Sequence, residues 1–149
     1  MDHFKKTINK PLGELLVERG AINREELNQA LEYQKEHAGL LGEILVKLKS
    51  ATEEDIAQAL TCQYGFPYLP LSNYEIDSEV INSVPENLCR QFCLIPIDRI
   101  GKSLTLAMAD PLNVRAIEEV EAATTCSVQT FVSTATDIKN TINKYYRPG

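Results

Sequence analysis

Hydrophobic residues in the first 63 positions recur every three or four residues, and the whole pattern occurs twice. Leu12-Gly13-Glu14 returns 29 residues later as Leu41-Gly42-Glu43. The two copies, 11–34 and 40–63, are separated by a five-residue linker. A spacing of three to four residues places apolar side chains on one face of a helix. Each copy therefore predicts a short helix, a turn and a longer helix.

Turn and capping residues fall where those helices need them. Gly20 can adopt a positive φ and end the first helix. Asn23 followed by Glu26, and Thr52 followed by Asp55, have the spacing of capping boxes at the start of the longer helices. A helical hairpin this small cannot bury its own apolar face. The two copies are therefore predicted to pack together as a helical lobe over residues 1–63.

The pattern changes from Tyr64 onward, where glycine and proline mark an extended connector up to Leu71. The rest of the chain alternates short helical and strand patterns. Helices are predicted over 77–84, 86–92, 112–123 and 135–146, and strands over 93–97, 103–109 and 128–133, with a hairpin turn at 98–102. The predicted fold class is α+β with two lobes, in which the helical lobe precedes a small α/β lobe, 64–149, whose short sheet is covered by helices.

Composition narrows the possible functions. The chain has 149 residues, 44% of them hydrophobic, and a net charge of −6, as ordinary globular proteins do. Basic residues are interleaved with acidic ones, which argues against nucleic-acid binding. No apolar run approaches the roughly 20 residues that span a bilayer, so direct membrane insertion is not expected. The start resembles no signal peptide, and a cytoplasmic location is predicted.

Catalytic chemistry is not indicated. Gly101-Lys102-Ser103 superficially resembles a P-loop, but Pro96 stands where that loop needs a glycine amide. Cys89 and Cys93 have no further ligands at metal-site spacing. Asp110 is interpreted as a helix cap ahead of Pro111. The chain is therefore expected not to be an enzyme, to need no cofactor and to hold no metal.

Two glutamines stand at matching ends of the copies. Gln34 and Gln63 each close the apolar face of a longer helix, where many polar residues would serve. Paired amides on equivalent faces are able to hydrogen-bond the two halves of a pseudo-symmetric ligand. A purely structural role for both remains open.

Two residue sets carry a family resemblance: the tandem copies with their five-residue spacer, and the run from Cys93 to Asn113 with Leu94-Ile95-Pro96-Ile97 and Ala109-Asp110-Pro111. Together they resemble the N-terminal domain of type II secretion and type IV pilus assembly ATPases, which is related to a cyclic-di-GMP-binding domain. The resemblance implies a non-catalytic docking and regulatory module. Its partners would be its own C-terminal ATPase domain and the cytoplasmic domain of an inner-membrane platform protein, which would hold it peripherally at that membrane.

The resemblance also implies a possible cyclic-di-GMP ligand along the repeats. The positions that match the family's motif are Leu12, Gly13, Leu16, Gly20, Leu27, Leu31, Gln34, Leu41, Gly42, Leu45, Leu60 and Gln63. The family opens each copy with arginine, whereas this chain has Pro11 and Leu40, and it has Lys49 in place of a central glycine. Docking is therefore ranked ahead of cyclic-di-GMP sensing. A free-standing structural adaptor is a second alternative.

Overall fold

The computed structural model describes residues 12–146 and confirms an α+β chain in which a helical portion precedes a small α/β portion. Two compact units form, Met1–Gly65 and Phe66–Gly149. The helices of the first unit are α1 (Leu12–Glu18), α2 (Arg24–His37), α3 (Leu41–Lys47) and α4 (Glu53–Tyr64). The short helices α1 and α3 thus begin 29 residues apart, as the repeat predicts.

The predicted capping boxes are present at both longer helices. The Asn23 carboxamide oxygen accepts from the Glu26 amide at 2.7 Å, and the Glu26 carboxylate accepts from the Asn23 amide at 2.9 Å. Thr52 and Asp55 make the same two bonds at 3.0 and 3.1 Å. Each box satisfies two amides that the first turn of a helix leaves without partners.

The turns between the helices of each copy have the same backbone hydrogen bonds. The Ala21 amide donates to the Leu16 carbonyl at 2.9 Å, and the Ser50 amide donates to the Leu45 carbonyl at 2.9 Å. Gly20 and Lys49 occupy the same left-handed position, with φ of 77° and 63°. The two copies therefore fold alike although a lysine stands where the first copy has a glycine.

The copies pack against each other where α1 meets α3. A Cβ added to Gly13 would lie 2.5 Å from Leu27 Cδ1 and 3.1 Å from Leu41 Cδ2. A Cβ on Gly42 would lie 3.3 Å from Leu12 Cδ2 and 3.6 Å from Ile56 Cδ1. Each glycine thus meets one leucine or isoleucine of its own copy and one leucine of the other. This pseudo-twofold contact requires both copies, which confirms the prediction that they pack together.

The second unit contains α5 (Ser78–Ile81), α6 (Glu86–Phe92), β1 (Leu94–Ile100), β2 (Ser103–Met108), α7 (Val114–Thr124), β3 (Ser127–Val132) and α8 (Ala135–Tyr145). The three strands form one sheet in the order β1-β2-β3. β1 and β2 are antiparallel, whereas β2 and β3 are parallel and joined through α7. Parallel neighbours need such a crossover connection. The extended connector adds a bridge from Tyr68 to Val132 on β3.

Three predicted details of the second unit are wrong. The hairpin turn is only Gly101-Lys102, because β1 continues to Ile100 after a register shift between Pro96 and Asp98. A positive φ of 60° at Gly101 makes that tight turn possible. The helix predicted over 77–84 is the single turn α5. Asp110 does not cap α7, because Asn113 does, accepting from the Ala116 amide at 3.2 Å.

The end of α8 is fixed to the segment that precedes β1. The Tyr146 hydroxyl lies 2.7 Å from the Ile81 carbonyl and 2.9 Å from the Val84 carbonyl, to which it donates. It accepts a weak bond from the Cys89 thiol at 3.5 Å, and burial raises the pKa of that thiol to about 11. Tyr145 accepts from the Ile76 amide at 3.0 Å. Cys89 is therefore a protonated core residue here.

Candidate functional site on the tandem repeats

The candidate site has a buried part and an accessible part. Most of its leucines lie in the core of the helical unit, with exposures of 4% or less: Leu12, Leu16, Leu27, Leu45 and Leu60. Gly13 is buried as well, inside the α1–α3 contact. These residues hold the repeat together, so they do not present an apolar surface to a ligand.

The accessible part of the candidate set is equally large and consists of two leucines, two glycines and the two glutamines. Leu31 is 38% exposed, although its counterpart Leu60 in the second copy is fully buried. Leu41 and Gly42 are half-buried at the start of α3. Gly20 lies exposed in the turn after α1, where a Cβ would meet no other atom within 4 Å. Any ligand of the repeats would have to use these residues together with the glutamines.

The two glutamines differ in their hydrogen bonding. The Gln34 amide nitrogen donates to the Gly39 carbonyl at 2.9 Å, within the linker between the copies. Gln63 is exposed at the end of α4, and its side chain makes no hydrogen bond among the described residues. A carboxamide has two N–H donors, so Gln34 keeps one donor and its oxygen for a ligand, whereas Gln63 offers both donors and its oxygen.

The positions where the resemblance implies arginine carry no charge. Pro11 lies outside the described residues. Leu40 is half-buried and extended, with φ −85° and ψ 138°, and directly precedes α3 without a side-chain cap. A leucine makes no bidentate contact with phosphate, which is the contact that a guanidinium supplies.

One cluster on the same unit is not apparent from the repeat alone. The Tyr33 ring stacks on the His37 ring with centroids 4.0 Å apart, and the Lys47 ammonium lies 5.3 Å from the Tyr33 centroid. The His37 Nδ1 lies 3.2 Å from the Tyr33 carbonyl. Aromatic residues four apart on a helix are the only sequence signal for this cluster. It brings the Lys47 ammonium of the second copy beside the two stacked rings at the end of α2.

In the second unit the notable titratable group is Asp110. Its carboxylate accepts from the Leu112 amide at 3.1 Å, and burial raises its pKa to about 6. The Ser133 hydroxyl, just after β3, is buried and has no hydrogen-bond partner within residues 12–146. Among the described residues, no group of three or more side chains could hold a metal ion.

The fold and the site together define the class of domain. It consists of two helical hairpins built from a tandem repeat, followed by a small α/β unit with a three-stranded sheet. In the part of the chain that the structure describes, no helix is long and apolar enough to cross a membrane. The chain belongs to the MshEN domain family, whose profile matches residues 64–149.

Relatives and solved structures extend the similarity across the repeat. The chain is 32% identical over 135 residues to the type IV pilus assembly ATPase PilB of Myxococcus xanthus, covering 91% of this chain and 24% of that protein. It is 34% identical over 140 residues to PilB of Thermus thermophilus, covering 93% and 16%. A structure of MshE with cyclic-di-GMP is 29% identical, with a TM-score of 0.67 over 92% of this chain and 99% of that one.

These matches relate the chain to one part of type IV pilus assembly ATPases and to MshE. The chain spans at most 24% of the length of the two relatives named above. Most of the length of those proteins therefore has no counterpart in this chain. The profile begins at Tyr64, so the similarity of the tandem repeat rests on the longer alignments and on the MshE structure.

Proposed function

We propose that this chain is the N-terminal regulatory and docking module of a type IV pilus or type II secretion ATPase. It couples its own C-terminal motor domain to the cytoplasmic part of an inner-membrane platform protein. It performs no catalysis itself. Its place is the cytoplasm, held peripherally at the inner membrane through that partner.

The burial of the repeat leucines is the observation that carries this proposal. Leu12, Leu16 and Leu45 are at most 4% exposed, so the residues that would contact cyclic-di-GMP form the core instead. Leu40 also stands where the resemblance implies an arginine, so one cationic group that would bind a phosphate is missing. What the helical unit offers to another molecule is its outer surface, where Leu31 and Leu48 are 38% and 37% exposed. We infer that these two exposed apolar side chains contribute to a contact with another protein.

Co-purification with the cytoplasmic domain of a platform protein tests the docking role. We expect Leu31→Glu to weaken capture at least about tenfold, because it places a charge at an apolar contact. Gln29→Glu adds the same charge at an exposed position of the same helix and should leave capture unchanged. Equal capture by wild type and Leu31→Glu contradicts the use of α2 as the docking surface. No capture by wild type contradicts docking itself.

Cyclic-di-GMP sensing is the second candidate, favoured by the likeness to MshE with cyclic-di-GMP and by the exposed amide of Gln63. The lost arginine weakens such binding by about 2 kcal/mol, or some thirtyfold. Titration calorimetry on wild type, Leu40→Arg and Gln63→Ala separates the cases. Sensing predicts tighter binding by Leu40→Arg and loss of binding by Gln63→Ala. An absence of heat in both wild type and Leu40→Arg argues against sensing.

A further inference from the structure

The linker between the two copies has an unusual backbone. Ala38, which follows α2, has φ 59° and ψ −172°, and Gly39 has φ 106°. The Ala38 conformation is nearly restricted to glycine, because a Cβ there clashes with the neighbouring backbone. Alanine is disfavoured in it on the order of tenfold relative to glycine. The second copy ends differently, since Gly65 takes the left-handed position after α4 with φ 74°.

Gln34 fastens this strained linker at two points. Its carbonyl accepts from the Ala38 amide at 2.8 Å, and its side-chain amide donates to the Gly39 carbonyl at 2.9 Å. The side-chain bond reaches beyond the last residue of α2 and holds the turn from the helix side. Its counterpart Gln63 makes no such bond among the described residues, so the arrangement belongs to the first copy alone.

The linker in turn sets the start of α3. Leu40 precedes α3 without a side-chain cap, and the Ile44 amide donates to the Leu40 carbonyl at 3.0 Å. The next residues, Leu41 and Gly42, form half of the contact between the copies. The chain therefore enters α3 through a turn that a backbone bond and a side-chain bond of Gln34 hold.

We propose that the Gln34 side chain is a strap that keeps the turn formed by residues 38–40 in its strained conformation, and that capture of its amide by another acceptor frees this turn and the start of α3. The strap requires no particular ligand. A partner competes with the Gly39 carbonyl when its oxygen takes the same amide hydrogen of Gln34, and the strain at Ala38 favours release once that bond is lost.

Amide hydrogen exchange on the full chain tests the strap directly. Gln34→Glu keeps the shape of the side chain but removes the hydrogen-bond donor, which imitates capture of the amide. It also places a carboxylate beside the Gly39 carbonyl, and the two groups repel each other. We expect exchange at Ala38 and Ile44 to accelerate about fivefold or more, the factor that a lost hydrogen bond represents. The control Gln29→Glu, which adds the same charge elsewhere on α2, should leave both amides unchanged.

Ala38→Gly provides an independent test, in which amide exchange should slow instead of accelerate. Glycine adopts the observed φ without clash, so exchange at Ile44 should slow about threefold or more despite the greater freedom of glycine when the linker is open. Amides inside α4 serve as the reference for global unfolding in every variant. Unchanged exchange at Ile44 in Gln34→Glu overturns the strap, and equal or faster exchange at Ile44 in Ala38→Gly overturns the strain that drives release.

Discussion

The two copies of the repeat share a backbone, a capping box and the hydrogen bonds of their turns, but they differ in their surface charges and in the exposure of matched side chains. The first copy is tied by a two-pronged ion pair, in which the Arg24 guanidinium contacts the Glu14 carboxylate at 2.7 and 2.8 Å. The equivalent residues of the second copy are Glu53 and Glu43, which are both acidic. Apolar spacing and caps therefore fix the hairpin shape, whereas the surface of each copy has diverged.

The largest expected difference between the copies concerns the matched leucines Leu31 and Leu60. Leu60→Ala should destabilise the chain by about 3 kcal/mol, because its side chain is completely buried. Leu31→Ala should cost less than about 1 kcal/mol, since 38% of that residue is already exposed. Urea unfolding followed by circular dichroism measures both. A similar loss of unfolding free energy in the two variants would mean that the copies bury Leu31 and Leu60 equally.

The matched glycines at the contact between α1 and α3 give the next largest effect. Gly13→Ala should cost about 2 kcal/mol, because the new Cβ falls 2.5 Å from Leu27 Cδ1 and forces that side chain to move.

Gly42→Ala should be close to neutral. Its new Cβ lies 3.3 Å from Leu12 Cδ2, so that side chain must shift slightly, and this cost is offset because alanine favours the helix over glycine by about 1 kcal/mol. The same urea titration compares the two variants. A greater loss of stability in Gly42→Ala than in Gly13→Ala would show that the packing around Gly42 is tighter than the packing around Gly13.

Substitutions in the turn after each short helix should change the stability by smaller amounts and with opposite signs in the two copies. Lys49→Gly should stabilise by about 1 kcal/mol, because a lysine there has a φ of 63°. Gly20→Ala should destabilise by about the same amount, since no atom lies within 4 Å to add a clash and only the backbone conformation is affected. Thermal unfolding of both variants provides the measurement. Destabilisation by Lys49→Gly would show that the lysine side chain makes a compensating interaction.

The sequence predicts the helical unit well because its signals are local. Spacing of leucines, a capping box at Asn23 and another at Thr52 each act within a few residues, and all are present in the structure. The α/β unit is less predictable in detail. Whether β1 ends at Ile97 or Ile100 depends on its pairing with β2, and whether Asp110 or Asn113 caps α7 depends on the path after Pro111.

The candidate site is harder to predict than the fold for a physical reason. An apolar motif residue is equally consistent with a ligand contact and with a core position, and only packing decides between them. Leu31 and Leu60 have the same place in the repeat, yet one is accessible and the other is not. The hydrogen bond from Gln34 to Gly39 is likewise invisible in the sequence, because it depends on the strained turn at Ala38.

The smallest expected effect comes from exchanging charge between the copies. Glu53→Arg would reproduce in the second copy the position that Arg24 has in the first, opposite Glu43. We expect the melting temperature to rise by less than about 2 °C, since exposed ion pairs contribute little and the change removes an acidic residue from the first turn of α4. Arg24→Glu should lower the melting temperature, because it replaces a two-pronged contact with two like charges.

Both shifts in melting temperature should disappear in about 1 M salt, where charges are screened within roughly 3 Å. This salt dependence separates an ion pair from a change in packing, which salt leaves in place. Shifts that persist at high salt would show that residues 24 and 53 act through contacts other than charge. Shifts of equal sign for the two variants would show that the copies do not present equivalent positions to Glu14 and Glu43.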